Sequence, residues 1–370
     1  MKRIRKNVLL VGGGSGGHIV PISEIYKILK KEDSLKVFVI GGGGEIEDVF
    51  YGDIPQYHKI YAGKLHRVIT WKNVLEFIKL IAGFLQAFIL LIKIKPRVIF
   101  AKGGYVSLPI TFWARVLSIP YFIHESDIEM GYSNRLAASG AKKVFTGFPA
   151  NFFSRYKWVG KVEFVGQLVN ISEKTEKYDF GFKNNKPCIF VTGGSQGSKI
   201  INDTVFDTLK VLLPMYNIMH QTGSLSYDQA VSAKDKLDIS MKSSYFVKDF
   251  FDIVDKRNLM YSAIKQADLI ITRCGLNTLA EIAFMGKPMI MIPYQHSSGD
   301  HQMKNAMEIG AITDLPVIND KDLNKDVLIK TIETVFDEKN KDNELIQKYE
   351  KIFPRNGLKI VTDNIIKEVI

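Results

Sequence analysis

Three stretches of this sequence combine residue types and spacings that suit chemistry on a phosphorylated substrate. Residues 8–18, VLLVGGGSGGH, and residues 189–199, IFVTGGSQGSK, each join a short apolar run to a glycine-rich turn and then to a helical pattern. Such a turn lets backbone N–H groups approach an anion at the positive end of the following helix. That is chemistry for a nucleotide, a sugar pyrophosphate, or both. A glycine turn is equally the means of making a tight strand-to-helix connection, so either loop alone leaves both readings open. The third stretch, residues 267–293, predicts a strand ending at Thr272, a glycine-containing turn, and a helix from near Asn277 with Glu281 in its first turns. The start of that helix can neutralise a pyrophosphate, and Glu281 can accept hydrogen bonds from ribose hydroxyls. Thr278 and Glu281 also have the spacing of a capping box, which needs no ligand. The polar loop of residues 293–306 follows, and Gln302 within it suits either sugar hydroxyls or the start of a surface helix.

His18 closes the first glycine loop. With an unperturbed pKa of about 6.5 it is the candidate general base, the alternative being a structural or acceptor-binding imidazole. The one D-x-D pattern, Asp320, Lys321 and Asp322, reads as a helix cap rather than a metal site. No His/Cys cluster has zinc spacing, so no metal and no other cofactor is expected.

The elements that must position these residues alternate along the chain. Strand-like runs at 7–11, 36–40, 98–101, 121–124 and 143–146 are followed by a second series at 188–192, 217–221, 245–248, 269–272 and 289–293. Alternation with helical segments describes parallel α/β sheets, and the restart of the pattern describes two doubly wound domains. At 370 residues two domains are the default. The boundaries read as 1–168, a polar connection at 169–186, and 187–370, with the last helix a candidate to pack back on the first domain.

Residues 72–95 predict a helix whose polar or small positions, Lys72, Glu76, Lys79, Gly83, Gln86 and Lys93, form one narrow stripe. Its longest charge-free run is 13 residues, short of the roughly 20 needed to span a bilayer. It suits a crossover helix buried against a sheet. Flanked by Lys64, Arg67, Lys72, Lys93, Lys95 and Arg97, it also suits a membrane interface. Charge favours the second use: residues 1–170 hold 24 Lys+Arg against 12 Asp+Glu, whereas the remainder holds 26 against 27. The excess of +11 therefore lies in the first half, which points to an anionic partner there, nucleic acid or a phospholipid surface, or to a merely solvated basic face. The basic residues are not interleaved with aromatics as a nucleic-acid stacking platform requires. Cys188 and Cys274 read as buried free thiols of a reducing compartment, and the apolar run after the basic N-terminus is too short for an export signal, so a cytoplasmic chain is expected.

GGGSGGH (12–18), AKGGYVSLP (101–109), HESDIEMGYSN (124–134), TGGSQGS (192–198), HQTG (220–223), RCGLNTLAE (273–281) and DHQMKNA (300–306) occur in an order that resembles the MurG family, bacterial N-acetylglucosaminyltransferases of peptidoglycan synthesis. The resemblance runs from about residue 8 to at least residue 310. It implies a GT-B fold, two Rossmann-like parallel-sheet domains facing a central cleft, and transfer of N-acetylglucosamine from UDP to the lipid-linked muramyl pentapeptide (lipid I to lipid II). It further implies donor contacts at Ser15, Gly16, Gly17, Asp127, Asn170, Gly194, Ser195, Gln196, Phe251, Leu276, Asn277, Thr278, Glu281 and Gln302. Acceptor contacts are implied at Gly13, Gly14, His18, Gly103, Gly104, Tyr105 and His124. Two positions depart from the family pattern, which usually has Asn at Asp127 and often Arg at Asn170. Asn cannot replace a bidentate Arg, which leaves another basic residue to supply that charge. A peripheral enzyme on the cytoplasmic face of the membrane follows, with an anionic phospholipid surface, and candidate cell-wall synthesis and division assemblies, as partners. The competing readings are a glycolipid glycosyltransferase with another acceptor, a nucleotide-sugar epimerase, an NAD(P)-dependent oxidoreductase and a non-enzymatic binding module. Against the oxidoreductase, Asp33 falls before the second strand rather than at its end.

Overall fold

The computed structural model describes residues 5–63, 71–170, 177–194, 196–251, 259–295, 300–337 and 342–370, the side chains of 71–75 and 342 excepted. The chain divides into two compact units, residues 1–170 with 354–370, and residues 171–353.

The first unit is built on a seven-stranded, wholly parallel sheet. Its strands are β1 (Lys6–Val11), β2 (Leu35–Gly41), β3 (Tyr57–Lys59), β4 (Val98–Ala101), β5 (Tyr121–Glu125), β6 (Lys143–Thr146) and β7 (Val162–Phe164), in the order β3-β2-β1-β4-β5-β6-β7. Because side chains alternate across a strand, β1 feeds two cores. Val8 and Leu10 pack with the helix Gly16–Leu29 and with the helix Gly357–Val369 at the far end of the chain. Leu9 and Val11 pack on the opposite face with Ala87, Leu91 and Ile110. The last helix thus belongs to the first unit, with Leu358, Val361, Ile365 and Val369 buried in its core. The edge strands β3 and β7, three residues each, are too short to leave a periodic signature and are absent from the sequence reading.

The second unit carries a five-stranded parallel sheet of β8 (Cys188–Thr192), β9 (Asn217–Gln221), β10 (Tyr245–Lys248), β11 (Leu269–Thr272) and β12 (Met289–Met291), in the order β10-β9-β8-β11-β12. Of the expected connection, residues 171–176 lie outside the described residues, and the following segment is built into this unit. Phe180 stacks on Phe251, and the Tyr178 N–H donates to Ser262 Oγ at 2.7 Å. Both cysteines are buried free thiols, and burial pushes Cys188 up to about 12.

Helix Trp71–Ile94 is not a buried crossover helix. Ala87, Leu91 and Ile94 point into the core and Gln86 Oε1 accepts from the Tyr61 N–H at 2.8 Å, so part of the polar stripe faces the protein. Phe77, Ile78, Ile81, Leu85, Ile89 and Ile92 stand outward, each about half exposed (48–60%). Residues 76–94 are long and apolar enough to cross a membrane by length and composition.

Candidate functional site

In an open parallel sheet, ligands bind beyond the carboxyl ends of the strands where the strand order reverses. In the first sheet that reversal lies between β1 and β4, and in the second between β8 and β11. The stretches singled out by residue type follow three of those strands, β1, β8 and β11, and the loop after β4 belongs to the family resemblance. Helices Gly16–Leu29, Lys199–Leu212 and Leu276–Phe284 begin after β1, β8 and β11, and none has an acidic residue in its first turn. By contrast, helix Glu45–Tyr51 carries Glu45, Glu47 and Asp48 at its start. The positive ends of the three switch-point helices are thus left without an acidic side chain of their own first turn, as an anion site requires.

In the first unit, the loop after β1 and the loop after β4 touch. A Cβ at Gly104 (φ +80°) would lie 2.8 Å from the Gly13 carbonyl oxygen and 3.3 Å from His18 Cδ2, so glycine is required there by both space and backbone angle. Gly13, Gly14, His18, Gly103 and Gly104 are therefore gathered in one place, with Tyr105 exposed at its edge. Glu47 ties the first loop to the turn after β2: its carboxylate accepts from the N–H groups of Gly14 (2.9 Å) and Gly43 (2.8 Å) and from Tyr57 Oη (2.9 Å). The Gly14 N–H thus serves the loop's own architecture. Ser15 is the N-cap residue of its helix without a side-chain capping bond. His18 is half-buried with Nδ1 shielded and unpartnered, and burial together with the Lys102 charge lowers its pKa to about 4.

His124 does not face outward. It is fully buried, Nδ1 2.8 Å from Lys102 Nζ and Nε2 2.9 Å from the Gly166 carbonyl oxygen. Lysine is a donor only, so Nδ1 accepts and Nε2–H donates to Gly166. Lys102 also donates to Ser126 Oγ at 2.5 Å, and burial lowers its pKa to about 8 against the raising effect of Glu125 and Asp127. Glu125, pushed up by burial, accepts from the N–H groups of Asp127 and Gly131 and from Asn134 Nδ2. Asn170 donates to Glu24 Oε2 at 3.0 Å.

In the second unit, a pocket of about 790 Å³ opens between the loops after β8 and β11. Gly194, Gln196, Thr278 and Gln302 line it, as do Arg273, Lys199, Lys321 and Tyr294. Ser195 lies outside the described residues. Gly197 (φ +76°) admits no side chain, because a Cβ would lie 2.0 Å from the Thr222 carbonyl oxygen. Gln221 at the end of β9 binds the loop from below: Nε2 donates to the Gly194 carbonyl at 2.9 Å and Oε1 accepts from the Phe251 N–H at 2.9 Å. The Phe251 ring is buried against Phe190 and Phe180. Gln302 Oε1 accepts from the Tyr294 N–H at 2.9 Å.

The helix of the third motif starts at Leu276 with Gly275 as its N-cap and no side-chain capping bond, so Thr278 and Glu281 do not form a capping box. Leu276 and Glu281 are buried, and Glu281 Oε1 accepts from Tyr261 Oη at 3.1 Å. Asn277 is half-buried beside them. Nor do the residues of the D-x-D pattern cap a helix: Asn319 occupies the N-cap of the short turn Asp320–Asp322, and Asp320 pairs with Arg273. Arg273 Nη2 donates to Ser198 Oγ at 2.7 Å, joining both loops of the pocket. Lys102, Glu47, Gln221 and Arg273 are the residues that reading by motif passed over. Lys102, Gln221 and Arg273 adjoin or lie inside quoted motifs, whereas Glu47 has no signal beyond an acidic helix start. Among the described residues, no three His, Cys, Asp or Glu side chains gather as metal ligands would.

Residues 8–146 match the glycosyltransferase family 28 N-terminal domain, and residues 188–357 the glycosyltransferase family 28 C-terminal domain. The UDP-N-acetylglucosamine–N-acetylmuramyl-(pentapeptide) pyrophosphoryl-undecaprenol N-acetylglucosamine transferase of Legionella pneumophila (strain Paris) is 33% identical over 92% of each chain. Its counterpart in Staphylococcus saprophyticus is 33% identical over 96% of this chain and 98% of its own. The crystal structure of Acinetobacter baumannii MurG superposes with a TM-score of 0.73 at 23% identity, covering 98% of this chain and 99% of that one, and shares the GT-B fold. With both domain families in order and full-length relatives at this identity, the chain belongs to glycosyltransferase family 28 and, within it, to the MurG N-acetylglucosamine transferases.

Proposed function

We propose that this enzyme moves N-acetylglucosamine from UDP-N-acetylglucosamine to the C4 hydroxyl of the muramyl sugar in undecaprenyl-pyrophosphoryl-MurNAc-pentapeptide, with inversion at the anomeric carbon. Family membership supports the donor and acceptor. The structural observation that carries the donor assignment is the pocket at the second switch point, of a size that suits a nucleotide sugar and lined by Arg273, Lys199 and Lys321. In this reading the pyrophosphate lies against the starts of helices Lys199–Leu212 and Leu276–Phe284, near Gly194, Ser195, Gln196, Leu276, Asn277 and Thr278. Gln302 takes the sugar hydroxyls, Glu281 the ribose and the backbone at Phe251 the uracil. The same helix starts stabilise the departing UDP. Lys199 and Lys321 are candidates for the charge that Asn170 does not carry.

The acceptor reading rests on the first unit's joined loops, Gly13, Gly14, His18, Gly103, Gly104 and Tyr105, with Ser15, Gly16, Gly17 and Asp127 close to the reacting sugar. His18 is neutral at pH 7 and so able to accept the hydroxyl proton. An imidazole with so low a pKa is a weak base. A pyrophosphate brought beside it offsets the Lys102 charge and raises its basicity when the substrate is present.

The outward apolar residues of helix Trp71–Ile94, with Phe112 and Val116 of the neighbouring helix Ser107–Val116, and the basic excess of this half support docking on an anionic leaflet at the cytoplasmic face. Release of UDP measured with purified lipid acceptor tests the activity. We expect release to require the muramyl lipid, and Gln302→Ala to lower kcat/KM for the donor about 10- to 100-fold through loss of sugar hydrogen bonds. Equal release with diacylglycerol and none with the muramyl lipid would assign a different glycolipid acceptor.

A further inference from the structure

Lys102 is a cation taken out of water, 1% exposed, where β4 ends at the first switch point. Burying an ammonium is costly unless its donors are met. Here two acceptors are supplied, Nδ1 of His124 at 2.8 Å and Oγ of Ser126 at 2.5 Å. Its backbone N–H donates to the Val11 carbonyl, and a Cβ at Gly12 would lie 3.5 Å from its own Cβ, which sets its stem directly against the first glycine loop. His18, which that loop leads into, has a shielded Nδ1 with no hydrogen-bond partner.

We propose that Lys102 is a positioning residue for glycosyl transfer: its ammonium, gripped by His124 and Ser126, is the fixed buried cation of the first switch point, ordering the turn that carries Asp127 and acting through space on His18. The inference rests on the reading of this half-site as the acceptor side. As a pure donor, Lys102 requires His124 Nδ1 to accept, which commits Nε2–H to Gly166 and joins β5 to the segment after β7. As a charge, it opposes protonation of His18. The ionisable groups facing His18 are Lys102 from the end of β4 and His124 from β5, while Glu125 and Asp127 face the Lys102 ammonium and sustain its charge. Both histidines are held neutral, so Lys102 is the cation of this cluster at pH 7. Removing it takes away a like-charge opposition, and His18 then binds its proton at higher pH.

The full chain with ¹³C-labelled histidine tests this by NMR titration, the His18 resonance being assigned by its loss in His18→Ala. In Lys102→Met the His18 midpoint is expected to rise by on the order of one pH unit, the size of a neighbouring-charge effect. The acid limb of kcat/KM for UDP release moves the same way, kcat falls, and the Kd for UDP stays within about twofold because the nucleotide pocket lies in the second unit. A His18 midpoint identical in variant and wild type overturns the proposal. A midpoint that moves while the kcat/KM profile does not upholds the Lys102–His18 coupling and removes His18 as the base. If Lys102→Met does not fold, Lys102→Gln deletes the same charge while keeping a donor for His124, and carries the same titration.

Discussion

At the scale of single residues, this site depends on side chains and glycines that hold its loops in place. Gly104 is the clearest case, since its positive φ and its approach to Gly13 and His18 leave no room for a β-carbon. Gly104→Ala is expected to cost about 1–3 kcal/mol in stability and to depress UDP release strongly, because the Gly13–His18 loop must move to relieve the contact. Chemical denaturation together with turnover checks this, and unchanged values of both would refute the contact. His18, Thr278 and Gln302 are visible in the sequence by type and motif, Gly104 and Gln196 through the family resemblance, and Gln196, Thr278 and Gln302 line the second unit's pocket. The partners of those residues were not visible. Nothing in a linear sequence announces that Glu47 accepts from Gly14, or that Lys102 reaches His124 and Ser126. Those bonds join residues brought together only by the crossover between strands.

Among the elements, helix Trp71–Ile94 departs most from expectation. Its composition was legible, but composition is the same for a helix buried in a core and one that lies in a membrane interface. Exposure separates the two, and here the outward face is apolar. Ile81→Glu with Leu85→Glu should lower binding to anionic liposomes by on the order of tenfold per residue, given what burying such side chains contributes. Turnover on a detergent-solubilised acceptor should hardly change. Sedimentation with vesicles reads the first quantity, and equal binding by variant and wild type would rule out this face as the docking surface. The third motif teaches the converse lesson. Thr278 and Glu281 have the spacing of a capping box, which requires Thr278 at the N-cap, yet the N-cap is Gly275, three residues earlier, and Glu281 turns inward to Tyr261. A boundary displaced by less than one helical turn is enough to change which side chains can cap.

For the whole molecule, burial of neutral histidines couples stability to acid. His18 is lowered to about 4 and His220 to about 3, in both cases chiefly by burial, whereas an unfolded imidazole titrates at about 6.5. The unfolded chain therefore binds more protons below pH 6.5. Stability is fully present above that value and is lost as the pH falls toward the folded values, by about 2 kcal/mol per histidine between pH 7 and pH 5. His220, held by Tyr245 Oη at 2.9 Å and Asn202 Oδ1 at 3.0 Å, reports on the second unit. Hydrogen exchange of the β9 amides at the two pH values should show that loss, and equal protection at both would contradict it.

The sequence by itself determined the class of the molecule: two restarting series of short apolar strands, each opening on a glycine turn, and seven ordered motifs that resemble one family. Those features are local, encoded in strand periodicity, glycine placement and residue type, and so they can be read along the chain. The tertiary structure alone decided which motif residues line a pocket and that an apolar helix keeps its apolar side outward, and it turned the last helix from a candidate into part of the first unit. It also decided that a lysine and two histidines share one cluster at the first switch point. These outcomes depend on strand order, which places residues distant in sequence at one switch point, and on burial, which sets charge and exposure only once neighbours are in place.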